Sequence, residues 1–173
     1  MNKEQFAAMQ APIKERYRQD PDAAMVTVRV SGRASEGLAF TVESRRGPIE
    51  AGPHEAAGGD GTLATAEEML LEALIACSGV TLQSVATAWG VALRRARIVA
   101  EGDVDLRGTL AISKDVPVGF KEIRLRFEID ADAPPAKLDK MVEVAERYCV
   151  IFQTLLNPTV LKATRVPLES AEP

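Results

Sequence analysis

Apolar residues recur along this chain in two periods, and the changes from one period to the other mark out its elements. From about Lys3 to Arg18, Phe6, Met9, Ile13 and Tyr17 stand three or four residues apart, the spacing of one helical face, and Pro12 predicts a break or kink inside it. Asp20-Pro21-Asp22 predicts a turn, after which Met25-Val26-Thr27-Val28-Arg29-Val30 alternates with the period of a strand. A turn around Arg33, between Gly32 and Gly37, leads to a second strand near Leu38 to Ser44, and a third starts at about Ile49 after Arg45-Arg46-Gly47-Pro48. Tight turns cannot join parallel strands, so this stretch reads as an antiparallel meander. The glycine-rich Ala56-Ala57-Gly58-Gly59-Asp60-Gly61 reads as a flexible loop.

The longest helical pattern follows. Thr65 and Glu68 have the spacing of a capping box, Glu67 and Glu68 suit the positive end of a helix, and apolar residues then run nearly all round through Trp89, which predicts a core helix ending at Gly90. Val91 to Asp105 and Gly108 to Ser113 are strand candidates. Lys121 to Asp130 sets Ile123, Leu125, Phe127 and Ile129 against Arg124, Arg126 and Glu128, the alternation of a half-buried antiparallel strand. Pro134-Pro135 opens a second helix from about Ala136 to Tyr148, a short helical piece runs on to Leu156, and Thr159 to Val166 fits a closing strand. The sum is an α+β fold with antiparallel sheets around two central helices. It predicts a single domain over residues 1–173, with residues 1–20 as a helical extension.

Composition narrows the function classes. The 21 Lys and Arg against 25 Asp and Glu leave a net charge of -4, which argues against nucleic acid as a partner. The first residues, Met1-Asn2-Lys3-Glu4-Gln5, lack the apolar run of a leader, and the helical patterns carry polar interruptions, so no membrane is expected and a cytoplasmic location is. One His and two Cys without close pairing supply a metal poorly, and no metal or other cofactor is expected.

The two cysteines are the candidate chemistry. Cys77 stands beside Ser78 and Gly79 late in the first core helix, and Cys149 at the end of the second. Two thiols suffice for a reduction cycle in which one attacks an oxidant and the other resolves the product as a disulfide, provided a cation or hydrogen-bond donor keeps the attacking one ionised. The plainer reading is that both are small core residues. Glu67 fits either a favourable charge in a first helical turn or a carboxylate that holds an activating arginine. Ten residues separate it from Cys77, about 15 Å along a straight helix, so serving that sulfur requires a second subunit or a bend. Arg94, Arg95 and Arg97 read as the exposed side of a strand, and His54, next to Pro53, as a loop surface residue.

Thr65 to Cys77, Thr-Ala-Glu-Glu-Met-Leu-Leu-Glu-Ala-Leu-Ile-Ala-Cys, resembles the Pro-x-Glu-Leu-Leu…Ala-Ala-Cys segment of the OsmC/Ohr family of osmotically inducible and organic-hydroperoxide-resistance proteins. Ala145-Glu146-Arg147-Tyr148-Cys149-Val150 resembles that family's second cysteine motif, usually Cys-Pro, with Val150 in place of the proline. The resemblance implies an intertwined homodimer with two interface sites. It also implies a thiol-dependent peroxidase that reduces organic hydroperoxides without metal, flavin or haem and is restored by an external dithiol. Carried over, Cys77 is the peroxidatic thiol, Cys149 the resolving thiol and Glu67 the carboxylate that holds the arginine. Gly32-Arg33 matches the arginine of one branch of the family, with Arg45 and Arg46 as alternatives. The rival expectation is a non-peroxidatic dimer whose interface pocket holds a small hydrophobic ligand lined by the cysteines.

Overall fold

The computed structural model describes residues 1–157 and 159–167. Helix α1 spans Lys3–Gln19, opened by a capping box in which Asn2 and Gln5 exchange side-chain and backbone bonds. Pro12 lies inside this helix without ending it. No residue of α1 is buried, so water can serve the carbonyl that the missing N–H leaves free. A single 3-10 turn, Pro21–Ala24, follows where a turn is expected.

The meander forms as strands β1 (Ser31–Ala34), β2 (Phe40–Ser44) and β3 (Gly47–Ala51), antiparallel in that order, with Arg33 opposite Thr41 and Val42 opposite Ile49. The first strand lies later than the alternation predicts. Met25, Val26, Val28 and Val30 pair with no strand and are between 64 and 85% exposed. Alternation marks a segment able to fill a sheet, and among the described residues no strand pairs with it.

The glycine-rich loop after β3 is compact rather than loose. His54 caps a 3-10 turn over Glu55–Ala57, Asp60 accepts from the N–H and hydroxyl of Thr62, and a Cβ on Gly59 would collide with the Pro53 carbonyl. A bond from Gly52 N–H to the Ala64 carbonyl, at 2.9 Å, ties this loop to the start of the long helix.

That helix, α2, spans Ala66–Ala88 and has the expected capping box, Thr65 with Glu68. It is long and apolar enough to cross a membrane by length and composition alone. Here one face, Leu74, Ser78, Leu82, Val85 and Ala86, is buried in the protein, while Val80 is 70% exposed. Strands β4 (Leu93–Val104) and β5 (Phe120–Ala131) pair antiparallel as a long hairpin against α2. Ile98, Phe127 and Ile129 turn inward, and on the outer face Arg94 meets Asp130 at 2.6 Å, Arg97 meets Glu128 at 3.5 Å and Arg124 meets Asp103. Gly108 to Ser113 is no strand: Asp105 caps a short helix α3, Leu106–Thr109, by accepting the Arg107 N–H, and turns carry the chain on.

Helix α4 (Pro135–Tyr148) and helix α5 (Val150–Leu156) then pack on α2. The core joins Leu82, Val85, Ala86 and Val91 to Met141 and Ala145, with Trp89 packed at its margin. Thr159 to Val166 forms no strand among the described residues, and Val160, Leu161 and Val166 are at least 74% exposed.

Met141 is fully buried at the centre of this packing, so Met141→Ala should cost about 2–5 kcal/mol in urea unfolding. Gly59→Ala should cost about 1–3 kcal/mol in the same measurement, because its methyl group meets backbone rather than a movable side chain.

Candidate active site

The two sulfurs meet where α4 turns into α5. Tyr148 ends α4 because Cys149 leaves the helical conformation, with φ -76° and ψ 112°, and the same residue then caps α5. Three bonds fix the joint: Cys149 N–H to the Ala145 carbonyl at 2.9 Å, Gln153 N–H to the Cys149 carbonyl at 2.9 Å, and the Gln153 amide to the Glu146 carbonyl at 3.0 Å. Cys149 continues the buried face of α4 marked by Met141 and Ala145, and its side chain is 0% exposed. Its sulfur accepts the Phe152 N–H at 3.4 Å and lies 3.5 Å from the Ser78 hydroxyl on α2.

Cys77 precedes Ser78 on α2 and is only partly buried. Both cysteines are free thiols, and the Cys149 sulfur lies 3.5 Å from the hydroxyl of Ser78, the residue that follows Cys77 on α2. Burial pushes the Cys77 thiol up. The Ile151 N–H, the Cys149 thiol, the Val150 N–H and the Thr81 hydroxyl outweigh it and hold the group below its ordinary value. Thr81 also bonds the Cys77 carbonyl at 2.8 Å, and its one proton cannot serve both atoms at once.

This arrangement separates the roles of two chemically identical side chains. A partly exposed thiol held toward its anion can meet a substrate, and a buried neighbour within reach can trap what forms. Glu146, one helical turn before the joint, is a carboxyl raised by burial and by the nearby Glu143 carboxylate.

The remaining expected residues lie elsewhere in the chain. Glu67 sits in the first turn of α2, on the rim of a cavity of about 360 Å³ walled by His54, Leu71, Val104, Leu106 and Phe120. It shares the continuous helix α2 with Cys77, about 15 Å away along the axis. His54 is exposed, and its Nδ1 accepts the Ala56 N–H at 3.0 Å. Glu68, beside it, is lowered by the Thr65 N–H and hydroxyl, with a smaller effect from His54. Arg33 is on β1, paired with Glu43 of β2 at 3.2 Å, and Arg45 and Arg46 form the exposed turn between β2 and β3. No arginine is among the groups that act on the Cys77 sulfur within the described residues.

Sequence reasoning took Ser78 only as a small residue that permits close approach, and Cys149 is what approaches it. Thr81 carried a signal, since i and i+4 share a helical face. The two α5 amides carried none, because every residue except proline has one.

A family profile described as OsmC-like protein matches residues 59–164 of the chain. Among solved structures, an OsmC-like protein from Mycoplasma pneumoniae superposes with a TM-score of 0.65 at 18% identity, covering 77% of this chain and 89% of that one. An organic hydroperoxide resistance protein from Elizabethkingia anophelis gives 0.63 at 15% identity, covering 78% and 91%. The organic hydroperoxide resistance protein OhrB of Bacillus subtilis gives 0.53 at 19%, covering 77% and 93%. No curated protein sequence matches the chain. Identities this low speak for the shared fold, and the profile spans more than half of the sequence: the protein belongs to the OsmC-like family.

Proposed function

We propose that the protein is a thiol-dependent peroxidase that reduces organic hydroperoxides. The observation that carries this reading is the placement of a partly exposed Cys77 next to Ser78, whose hydroxyl is 3.5 Å from the sulfur of the buried Cys149. The Cys77 thiolate attacks the outer oxygen of R–O–O–H. The O–O bond breaks, the alkoxide takes up a proton and leaves as the alcohol, and Cys77 becomes a sulfenic acid. Cys149, losing its proton, attacks that sulfur and displaces the hydroxyl, which leaves as water with the proton. A Cys77–Cys149 disulfide remains, and an external dithiol reduces it by thiol–disulfide exchange. A cycle closed in that way belongs in a reducing compartment, and the cytoplasm is the proposed location.

The working unit is proposed to be a homodimer with two sites at its interface. Three segments support this: the exposed α2 face at Val80, the unpaired alternation from Met25 to Val30, and the exposed Val160, Leu161 and Val166. Each offers apolar surface that a single chain leaves in water. The distance from Glu67 to Cys77 points the same way, since a partner's copy of α2 could bring a carboxylate and its arginine where the same chain's cannot.

Reduced protein treated with an alkyl hydroperoxide should lose both of its thiols. Cys77→Ser should abolish turnover and Cys149→Ser should trap a sulfenic acid at Cys77; thiols unchanged at millimolar peroxide would instead favour the ligand-binding reading. The attacking species is the thiolate, so the rate should climb with pH and level off below the free-thiol range of about 8.5. Subunits carrying Cys77→Ser mixed with subunits carrying Glu67→Gln should recover about a quarter of the wild-type activity, because half the dimers are mixed and each of those has one intact site. No recovery on mixing would mean that Glu67 does not serve the partner's Cys77.

A further inference from the structure

Helix α2 carries four serine and threonine hydroxyls after its cap, and three of them behave alike. Thr81, Ser84 and Thr87 each donate to the carbonyl four residues back, those of Cys77, Val80 and Gln83, at 2.8 to 2.9 Å. Ser78 breaks the series. It is 1% exposed, and its hydroxyl reaches across to the Cys149 sulfur at 3.5 Å. The same sulfur accepts the Phe152 N–H at 3.4 Å. We propose that Ser78 is a positioning residue for the resolving step, its hydroxyl donating to the Cys149 sulfur as that sulfur gives up its proton and attacks the neighbouring Cys77. The assignment rests on reading Cys149 as the thiol that attacks an oxidised Cys77.

The direction of the bond follows the proton. While Cys149 is a thiol, either its S–H or the serine O–H can be the donor. A thiolate only accepts, so in the attacking state the serine proton must point at sulfur. Cys149 is fully buried, and an anion formed out of reach of bulk water needs donors supplied by the protein. Two stand at hydrogen-bonding distance, the Phe152 N–H and the Ser78 hydroxyl, and each bond strengthens when its acceptor becomes charged. They differ in what they hold. The Phe152 amide belongs to the helix that Cys149 itself caps, whereas Ser78 belongs to the helix that carries Cys77. The serine bond therefore ties the attacking sulfur to the turn of α2 that it must attack. Packing alone does not call for a hydroxyl here, since alanine has the better helix propensity and would leave this buried face wholly apolar.

The test uses the full chain and no peroxide. Dithiobis(nitrobenzoate) converts the more exposed Cys77 to a mixed disulfide and releases one thionitrobenzoate anion. Cys149 then loses its proton to solvent and attacks the Cys77 sulfur; the Cys77–Cys149 disulfide forms and the second thionitrobenzoate leaves. Cys149→Ser should stop after the first release. Ser78→Ala should slow the second release about tenfold and change the first by less than about twofold, the loss of one hydrogen bond to a charged group. Ser78→Thr keeps the hydroxyl and should restore most of the second rate, and Ser84→Ala, whose lost hydroxyl bonds only α2, should alter neither phase. An unchanged second release in Ser78→Ala, one equally slow in Ser78→Thr, or an equal slowing in Ser84→Ala would overturn the assignment. Should Ser78→Thr fail to fold, the Raman S–H band of Cys149, isolated in Cys77→Ser, decides the matter: it should move on adding Ser78→Ala, and an unmoved band would overturn the assignment. These exchange rates in a protein inert to hydroperoxides would remove the peroxidase reading and leave the role of Ser78 standing. Hydroperoxide turnover with a second release indifferent to Ser78→Ala would do the reverse.

Discussion

The site depends on one bend in the backbone, at Cys149. Had α4 continued as a straight helix, the Cys149 side chain would follow the helical surface and the amides that now face the sulfurs would be bonded inside the helix. Because Cys149 is extended, α4 ends, α5 begins, and three N–H groups are freed from the helix, of which that of Phe152 bonds the Cys149 sulfur. The packing of Met141 and Ala145 against Leu82, Val85 and Ala86 holds α4 on α2 and so sets where the bend falls along α2. Fold stability and thiol chemistry thus share a helix pair.

Most elements that bury a face within the chain were legible from their periodicity. The long helix, its capping box, the alternation of β5 and the second helix all appear where the pattern puts them. The pattern misled in three informative places. Gly108 to Ser113 carries strand-like residues, but Asp105 offers the chain a cap, and a local side-chain bond redirects it into α3. Met25 to Val30 and Thr159 to Val166 have the composition of strands and pair with no strand among the described residues. Periodicity tells what a segment can pair with and not whether the partner is in the same chain.

The candidate site was legible in its sulfurs and not in its donors. Cys77 and Cys149 stand out by residue type, and the helices that carry them could be predicted. The joint at Cys149 was legible as the end of one helical pattern and the start of a shorter one, and the contact it makes with Ser78 was not. The sequence directed the search for a cation to Arg33, Arg45 and Arg46, and the structure puts all three on the meander. The groups of the chain that lower the Cys77 thiol are peptide N–H groups, the Cys149 thiol and the Thr81 hydroxyl, and the peptide groups among them have no sequence signature. Val150, first seen as a departure from a Cys-Pro motif, is the position where that departure adds a hydrogen-bond donor. A guanidinium brought by a second subunit would add to these amides and need not replace them, since a thiolate has room for several donors.

The central claim is that the two sulfurs of one chain form a single redox unit. It is tested most directly by mapping the disulfide made when the full-length protein meets one equivalent of an alkyl hydroperoxide. The account predicts a link between Cys77 and Cys149 within one chain, with the chain still migrating as a monomer under non-reducing denaturing conditions. A bridge between chains, or Cys77 driven to a sulfinic acid while Cys149 stays a free thiol, would contradict it.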